Sequence, residues 1–288
     1  MSFKQLLTLF ILTVGINFTI RAEQNLNIIY TNDMEGSVAT CGCAVDPGGG
    51  VVRRINWYQQ NNFSPTDTIY VNTGSTLFSE SAFMDYETEY LKLGASIMVD
   101  SLISMNIDAY TPGEYDLKMG KDFFRSTTSK LPVLITNAKE KGFLKEVKIT
   151  RAGRNVKIFG IVTGVKELPT IDAVTALKKL TTKKDKKDYF ILLADTNMKN
   201  LNKILKSIPN IDVVVSSSIQ EQLTKPLQIG NTTVLRLLQA GDSIGLFTKE
   251  NQVVYLGRSY NKDNEFTDRI KKYEGLQNTA APKVKAEF

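Results

Sequence analysis

Residues 29–36 read Ile29-Tyr30-Thr31-Asn32-Asp33-Met34-Glu35-Gly36. A β-branched and aromatic run passes into two carboxylates and a glycine, the pattern of a buried strand that ends in a polar turn. The transition recurs at Val71-Asn72-Thr73-Gly74-Ser75, at Pro112-Gly113-Glu114-Tyr115-Asp116 and at Leu193-Ala194-Asp195-Thr196. It returns at Val215-Ser216-Ser217-Ser218 and at Leu238-Gln239-Ala240-Gly241-Asp242. In open α/β sheets such strand ends converge on one edge, where ligands bind. Every strand must also end in a turn, so the rim marks a place to look.

Working outward, strand-like runs occupy residues 26–30, 68–71, 133–135, 156–162, 189–193, 212–215, 234–238 and 253–256. Helix-like stretches lie at 55–60, 90–104, 121–126, 200–208 and 267–273. Strands alternate with helices early and crowd together later, which predicts an α/β protein with a mixed sheet or two sheets. No linker or solenoid-length repeat divides the chain, so residues 23–273 are expected as one domain and 274–288, rich in Lys, Ala and Pro, as a disordered tail.

The chain has 288 residues, 42% hydrophobic and 23% charged, enough to bury a substantial core. It contains no histidine. That removes Ser-His-Asp, Cys-His and His-zinc chemistry together. Residues 1–22 carry Lys4, an apolar run over 6–20 and Ala22 as a small residue before a polar stretch, which reads as an export signal cut near Ala22. An uncleaved anchor is the rival, although the run is shorter than the roughly 20 residues a membrane span needs. The formal charge is +6, and +4 once Lys4 and Arg21 are removed. Lys178, Lys179, Lys183, Lys184, Lys186 and Lys187 form a basic run that is either a solvated loop and helix end or a contact for an anionic surface. It lacks the interleaved aromatics of nucleic-acid binders, so no nucleic-acid partner is expected.

The order of these segments resembles the exported 5′-nucleotidase branch of the calcineurin-like metallophosphoesterases. Thr31-Asn32-Asp33-Met34-Glu35-Gly36 is similar to that family's Thr-Asn-Asp-x-His-Gly block, and Gly48-Gly49-Gly50 before Arg53-Arg54 to its Gly-Gly-x-x-Arg helix start. Cys41-Gly42-Cys43 is similar to a Cys-Gly-Cys of some exported members. Gly74-Ser75 stands where the family has Gly-Asp, and Gly113-Glu114-Tyr115-Asp116 where it has Gly-Asn-His-Glu/Asp. Asp212–Gln220 replaces Asp-x-x-x-Gly-Gly-His-x-His, and Gln239-Ala240-Gly241 is similar to the closing segment. The resemblance implies a four-layer α/β/β/α sandwich with two mixed β-sheets, exported to a periplasm or secreted, of bacterial type, and without the second domain of the long members.

It also implies a two-metal centre, and here the chain departs from the pattern. Asp33 is kept, Glu35 replaces a histidine, Ser75 the bridging aspartate, Glu114 an asparagine and Tyr115 the catalytic histidine. Asp195, Ser218 and Gln220 replace later histidine ligands. A neutral hydroxyl at Ser75 cannot offset the repulsion of two dications held about 3.5–4 Å apart. Two readings follow. In the first, the protein is catalytically degenerate, holds no metal, and acts in binding or assembly with a protein partner or a small phosphorylated ligand. In the second, Asp33, Glu35, Glu114, Asp195 and Gln220 form an all-oxygen set for one hard cation, Ca²⁺ or Mg²⁺, and the chain is a phosphoester hydrolase with a rebuilt site.

Two smaller features stay open. Cys41 and Cys43 are the only cysteines; a disulfide between them would shape the loop or act as a labile redox pair. Gly48 to Gly50, with Arg53 and Arg54, offers either an anion site at a helix start or close helix-strand packing.

Overall fold

A computed structural model describes residues 25–40, 47–80, 84–217, 225–237 and 241–280. The expected signal, Cys41 and Cys43, Ser218, Gln220 and the last eight residues lie outside the described residues. Eleven strands build two mixed sheets among the described residues.

The first sheet contains β1 (Asn27–Asn32), β2 (Thr68–Gly74), β3 (Ala109–Pro112), β10 (Ser243–Phe247) and β11 (Asn251–Tyr255), in the order β11-β10-β1-β2-β3. β1, β2 and β3 are parallel, while β10 and β11 are antiparallel additions. The second sheet contains β4 (Val147–Arg151), β5 (Arg154–Val162), β6 (Asp188–Asp195), β7 (Val213–Ser217), β8 (Leu227–Ile229) and β9 (Thr232–Leu235), in the order β4-β5-β6-β7-β9-β8. Its four inner strands are parallel and its two edges antiparallel.

Among the described residues six helices flank the sheets: α1 (Val51–Gln60), α2 (Thr88–Ser104), α3 (Lys121–Thr127), α4 (Ala173–Thr181), α5 (Met198–Ser207) and α6 (Thr267–Ala280). The period-2 alternation of the strands sorts their side chains into layers. Ile28, Tyr30, Ile69 and Val71 of the first sheet meet Ile158, Ile191, Leu193 and Val215 of the second in a shared inter-sheet core. The opposite faces, Ile29 and Tyr70 in one sheet and Phe159, Phe190 and Leu192 in the other, pack under the helices. Four layers result, α/β/β/α, as the order of motifs implies. Each fully buried aliphatic side chain contributes about 1.5–3 kcal/mol by removal from water, so all three cores hold the layers together.

Side-chain caps open two of the helices that follow strands of the second sheet. Asp172 accepts from the Thr175 N–H at 2.9 Å to open α4, and Asn197 accepts from the Asn200 N–H at 2.9 Å to open α5. The αβ alternation therefore returns the chain to the amino edge of the second sheet, and the loops that begin at its carboxyl edge carry the polar residues.

Some expectations are corrected. Residues 133–135 form no strand. They make isolated bridges, Leu134 N–H donating to Tyr110 O at 2.8 Å and Ile135 N–H to Leu144 O at 3.0 Å, because the segment turns from one neighbour to another within two residues. The tail does not start at 274. α6 continues through Ala280, with Ile270 and Tyr273 buried; Tyr90 and Tyr273 meet edge to face at 5.6 Å between centroids. β3, β4, β8, β10 and α4 are absent from the strand and helix runs read in sequence. β3 has only four residues and ends in Pro112, and β10 carries Gly245 mid-strand, where a Cβ would meet the Tyr30 ring at 2.1 Å.

Candidate functional site

The carboxyl ends of both sheets open on one cleft. Asp33 follows β1, Ser75 follows β2, Glu114 and Tyr115 follow β3, Thr163 follows β5, Asp195 ends β6 and Arg236 follows β9. These residues, with Glu35, Glu80, Gly164 and Val165, line an open cavity of about 440 Å³. The four carboxylates singled out in sequence that fall among the described residues, Asp33, Glu35, Glu114 and Asp195, are thus brought to one place.

The β1 loop is held in an uncommon backbone shape. Asp33 has φ 43° and Glu35 φ 46°, both left-handed and neither a glycine. Such angles cost of order 1 kcal/mol or more each and persist only when neighbours enforce them. Here the neighbours are visible. Asp33 N–H donates to Thr73 O at 3.1 Å, Glu35 N–H to Ser75 O at 3.0 Å and Gly36 N–H to Thr76 O at 2.9 Å, so the loop is laced to the one after β2. Gly74, at φ 83°, is required by the same fit: a Cβ there would stand 2.1 Å from Asp33 Oδ1.

Asp33 Oδ1 accepts from the Ser75 N–H at 3.3 Å and Oδ2 from Asn32 Nδ2 at 3.2 Å. Burial raises its pKa from 3.8 to about 6, the Asp195 charge adds to the rise, and Asn32, Arg236 and Ser75 oppose it. Asp195 Oδ1 accepts from Ser217 Oγ at 2.7 Å. Burial pushes the Arg236 guanidinium down from its usual range, and Asp33 pulls it back up. Across the cleft, burial raises Glu35, with Glu80 adding and Lys118 opposing. The Lys118 ammonium donates to the Ser79 and Glu80 carbonyls and lies 4.8 Å from the Tyr115 ring centroid. Two side-chain cations, Arg236 and Lys118, therefore interleave with five carboxylates.

Asp116 organises the rim from beneath. It is fully buried, and its carboxylate accepts from the backbone N–H groups of Thr76 at 2.7 Å, Leu77 at 2.6 Å and Gly113 at 3.0 Å and from the Tyr110 hydroxyl at 2.5 Å. Burial lifts its pKa to about 7, against those four bonds. It fixes the turns that carry Ser75 and Glu114 and does not line the cleft, as a turn residue should.

The donors present do not fit a two-metal centre. Ser75 Oγ, at the bridging position, accepts from the Tyr115 N–H at 3.1 Å. Among the described residues no three His, Cys, Asp or Glu side chains are grouped closely enough to hold a metal ion. Tyr115 fills space at the position of the resemblance's catalytic histidine; burial, Glu80 and Glu114 raise its phenol, so it stays protonated at neutral pH.

Arg53 and Arg54 are not placed as an anion site. Both are buried, Arg54 completely, and they spend donors on main-chain carbonyls: Arg53 on Pro47 O and Leu256 O, Arg54 on Gly241 O at 3.2 Å. Gly48 and Gly49 allow close packing, since a Cβ would meet the Tyr255 hydroxyl at 2.4 Å or Gly241 O at 2.3 Å. The geometry of this segment is that of a helix start packed hard against its neighbours.

Arg236 is absent from the residues that the sequence singles out. With residues 234–238 read as one strand, it falls inside an apolar run; the strand stops at Leu235, and Arg236 becomes a strand end like the others. The signal is there to be read: it is the one charged residue in that run.

No family model and no curated protein sequence matches this chain. Solved structures do. A 5′-nucleotidase precursor from Thermus thermophilus superimposes with a TM-score of 0.70 at 14% identity, over 89% of this chain and 59% of that one. The NAD nucleotidase of Haemophilus influenzae gives 0.64 at 14% identity, over 88% and 56%. A sulfate thiohydrolase from Thermus thermophilus gives 0.66 at 12% identity, over 88% and 60%. The chain spans under two thirds of the length of each. Its fold is that of the metallophosphoesterase domain of 5′-nucleotidases, as the order of its motifs implies.

Proposed function

We propose that this chain is an exported protein of metallophosphoesterase fold that does not carry out two-metal phosphoester hydrolysis and that acts by binding or assembly at the carboxyl-edge cleft. The observation that supports this reading most is that Arg236 lines the same cavity as Asp33 and the other carboxylates. Carboxylates gathered without a cation would repel one another, and the Arg236 and Lys118 charges offset part of that repulsion without a metal. The loss of every histidine and of the bridging acid at Ser75 points the same way.

The charge of the cleft narrows the partner. Five carboxylates line the cavity against Arg236, with Lys118 beside three of them; this balance disfavours a phosphorylated small molecule and favours a protein partner that presents a cationic side chain. Among the described residues no helix is long and apolar enough to cross a membrane. Export to a periplasm or the cell exterior rests on residues 1–22 and on the fold's company.

Turnover is the test. The protein is assayed on nucleoside monophosphates and a generic phosphodiester with added Mn²⁺, beside Asp33→Ala and Glu114→Ala. The reading expects no turnover that either substitution lowers. Hydrolysis abolished by both would establish the alternative, a phosphoester hydrolase with an all-oxygen site.

A further inference from the structure

The amino edges of the two sheets coincide, at the end of the molecule opposite the cleft. The β4–β5 turn fixes this: Ala152 N–H donates to Thr66 O at 2.8 Å and Arg151 Nε to Thr68 O at 3.0 Å, at the start of β2. Arg151 also pairs with Asp108 just before β3, at 3.0 Å. α4 and α5 both return to this edge. Asn210 Nδ2, after α5, donates to Thr181 O at the end of α4 at 2.7 Å, and Lys184 Nζ donates to Asn210 O at 2.8 Å.

The edge is strongly basic. Lys178 and Lys179 at the end of α4, Lys183, Lys186 and Lys187 in the loop to β6, and Lys206 at the end of α5 are all exposed. Of the acids nearby, Asp188 pairs with Lys157 at 3.5 Å, Asp212 with Lys184 at 2.5 Å and Asp108 with Arg151, and Asp67 accepts from Asn27 Nδ2 and Thr68 Oγ1. Asp185 is the one carboxylate inside the lysine run. Helix ends attract lysines, but that effect is confined to the last turn and does not account for Lys183, Lys186 and Lys187.

A second observation comes from the chain path. β1 enters the fold at this same edge, at Asn27, and the apolar run over residues 6–20 ends seven residues earlier, a reach of about 25 Å at most. Where that run stays uncleaved, a bilayer that receives it lies within this reach of the lysine edge, at the end of the fold opposite the carboxylate cleft.

We propose that the amino edge docks on an anionic phospholipid surface through Lys178, Lys179, Lys183, Lys186 and Lys187, holding the acidic cleft outward. Lysines within a Debye length of an anionic headgroup layer attract it cooperatively and lose that attraction in salt.

Binding of the full chain to vesicles of phosphatidylcholine alone and with 30% phosphatidylglycerol tests this. The expected result is at least tenfold tighter binding to the anionic vesicles at about 50 mM salt, reduced to within twofold at about 500 mM. Replacing the five lysines together, K178E, K179E, K183E, K186E and K187E, should remove the preference, and the same five changed to Gln should reduce it. All are exposed, so melting should shift by only a few degrees. Equal binding to both vesicles by the wild-type chain overturns the proposal. So does a preference that salt or the substitutions leave unchanged, which would assign it to the apolar run. Duplex DNA binding as tight as the anionic vesicles, with the same salt dependence, would overturn lipid as the partner in favour of polyanions in general.

Discussion

The Tyr115 backbone N–H donates to Ser75 Oγ at 3.1 Å, so the two residues that the resemblance sets at the bridging-acid and catalytic-histidine positions are bonded to each other. A hydroxyl in this place joins the β2 and β3 ends. Gly113 lets the two approach, since a Cβ there would meet Ser75 N at 2.4 Å. The rim is thus a braced structure in its own right, joined through Ser75 Oγ and the Tyr115 backbone.

Ser75→Asp tests that bracing. A third carboxylate beside Asp33 and Asp195 adds like-charge repulsion and displaces the shorter hydroxyl that accepts from the Tyr115 N–H. The variant should lose about 1–3 kcal/mol in urea denaturation at pH 8, and less at pH 5, where proton uptake relieves it. Unchanged stability at pH 8 would show that the position tolerates charge.

Asp116→Ala should be far more damaging than Glu114→Ala. It leaves three backbone N–H groups and the Tyr110 hydroxyl buried without their acceptor. A loss of about 3–5 kcal/mol is expected, against less than about 1 kcal/mol for the exposed Glu114. Chemical denaturation of both variants checks the contrast.

Asp33 makes a signed pH prediction. Its folded pKa is about 6 against 3.8, so between about pH 4 and 6 the folded protein holds a proton that the unfolded chain has released. Its contribution therefore falls as pH rises through that window. Asp33→Asn should flatten the stability curve there and gain on the order of 1–3 kcal/mol relative to wild type at pH 8. A difference that grows towards acid instead would mean that Asp33 is stabilised as the anion.

Gly74→Ala should destabilise by about 2 kcal/mol or more, because it combines a φ of 83° with a contact of 2.1 Å to Asp33 Oδ1. Thermal melting measures it, and a loss below about 0.5 kcal/mol would show that the loop after β1 yields easily.

The fold is legible in the sequence because strand ends have a composition of their own. Asp33, Ser75, Glu114 and Asp195 each follow a buried run, and their order along the chain matches one architecture. Local pattern fails where an element is short or interrupted: Pro112 closes β3 after four residues, and Gly245 sits within β10 because Tyr30 needs the space. Arg236 is hidden by the apolar residues around it, and Arg53 and Arg54 resemble an anion site until their burial is seen. Spacing shows that two residues are near a turn; it does not show which side chains the core has already claimed.

Arg236 and Lys118 offset part of the cleft's carboxylate charge, in a site that we propose binds no pair of metal ions. Metal content of the purified chain, equilibrated with Mn²⁺ and freed of unbound ion, tests it most directly. The account predicts well under one ion per chain and a melting temperature that EDTA, Ca²⁺, Mg²⁺, Mn²⁺ and Zn²⁺ leave unchanged. About two ions per chain, lost in Asp33→Ala, would contradict it.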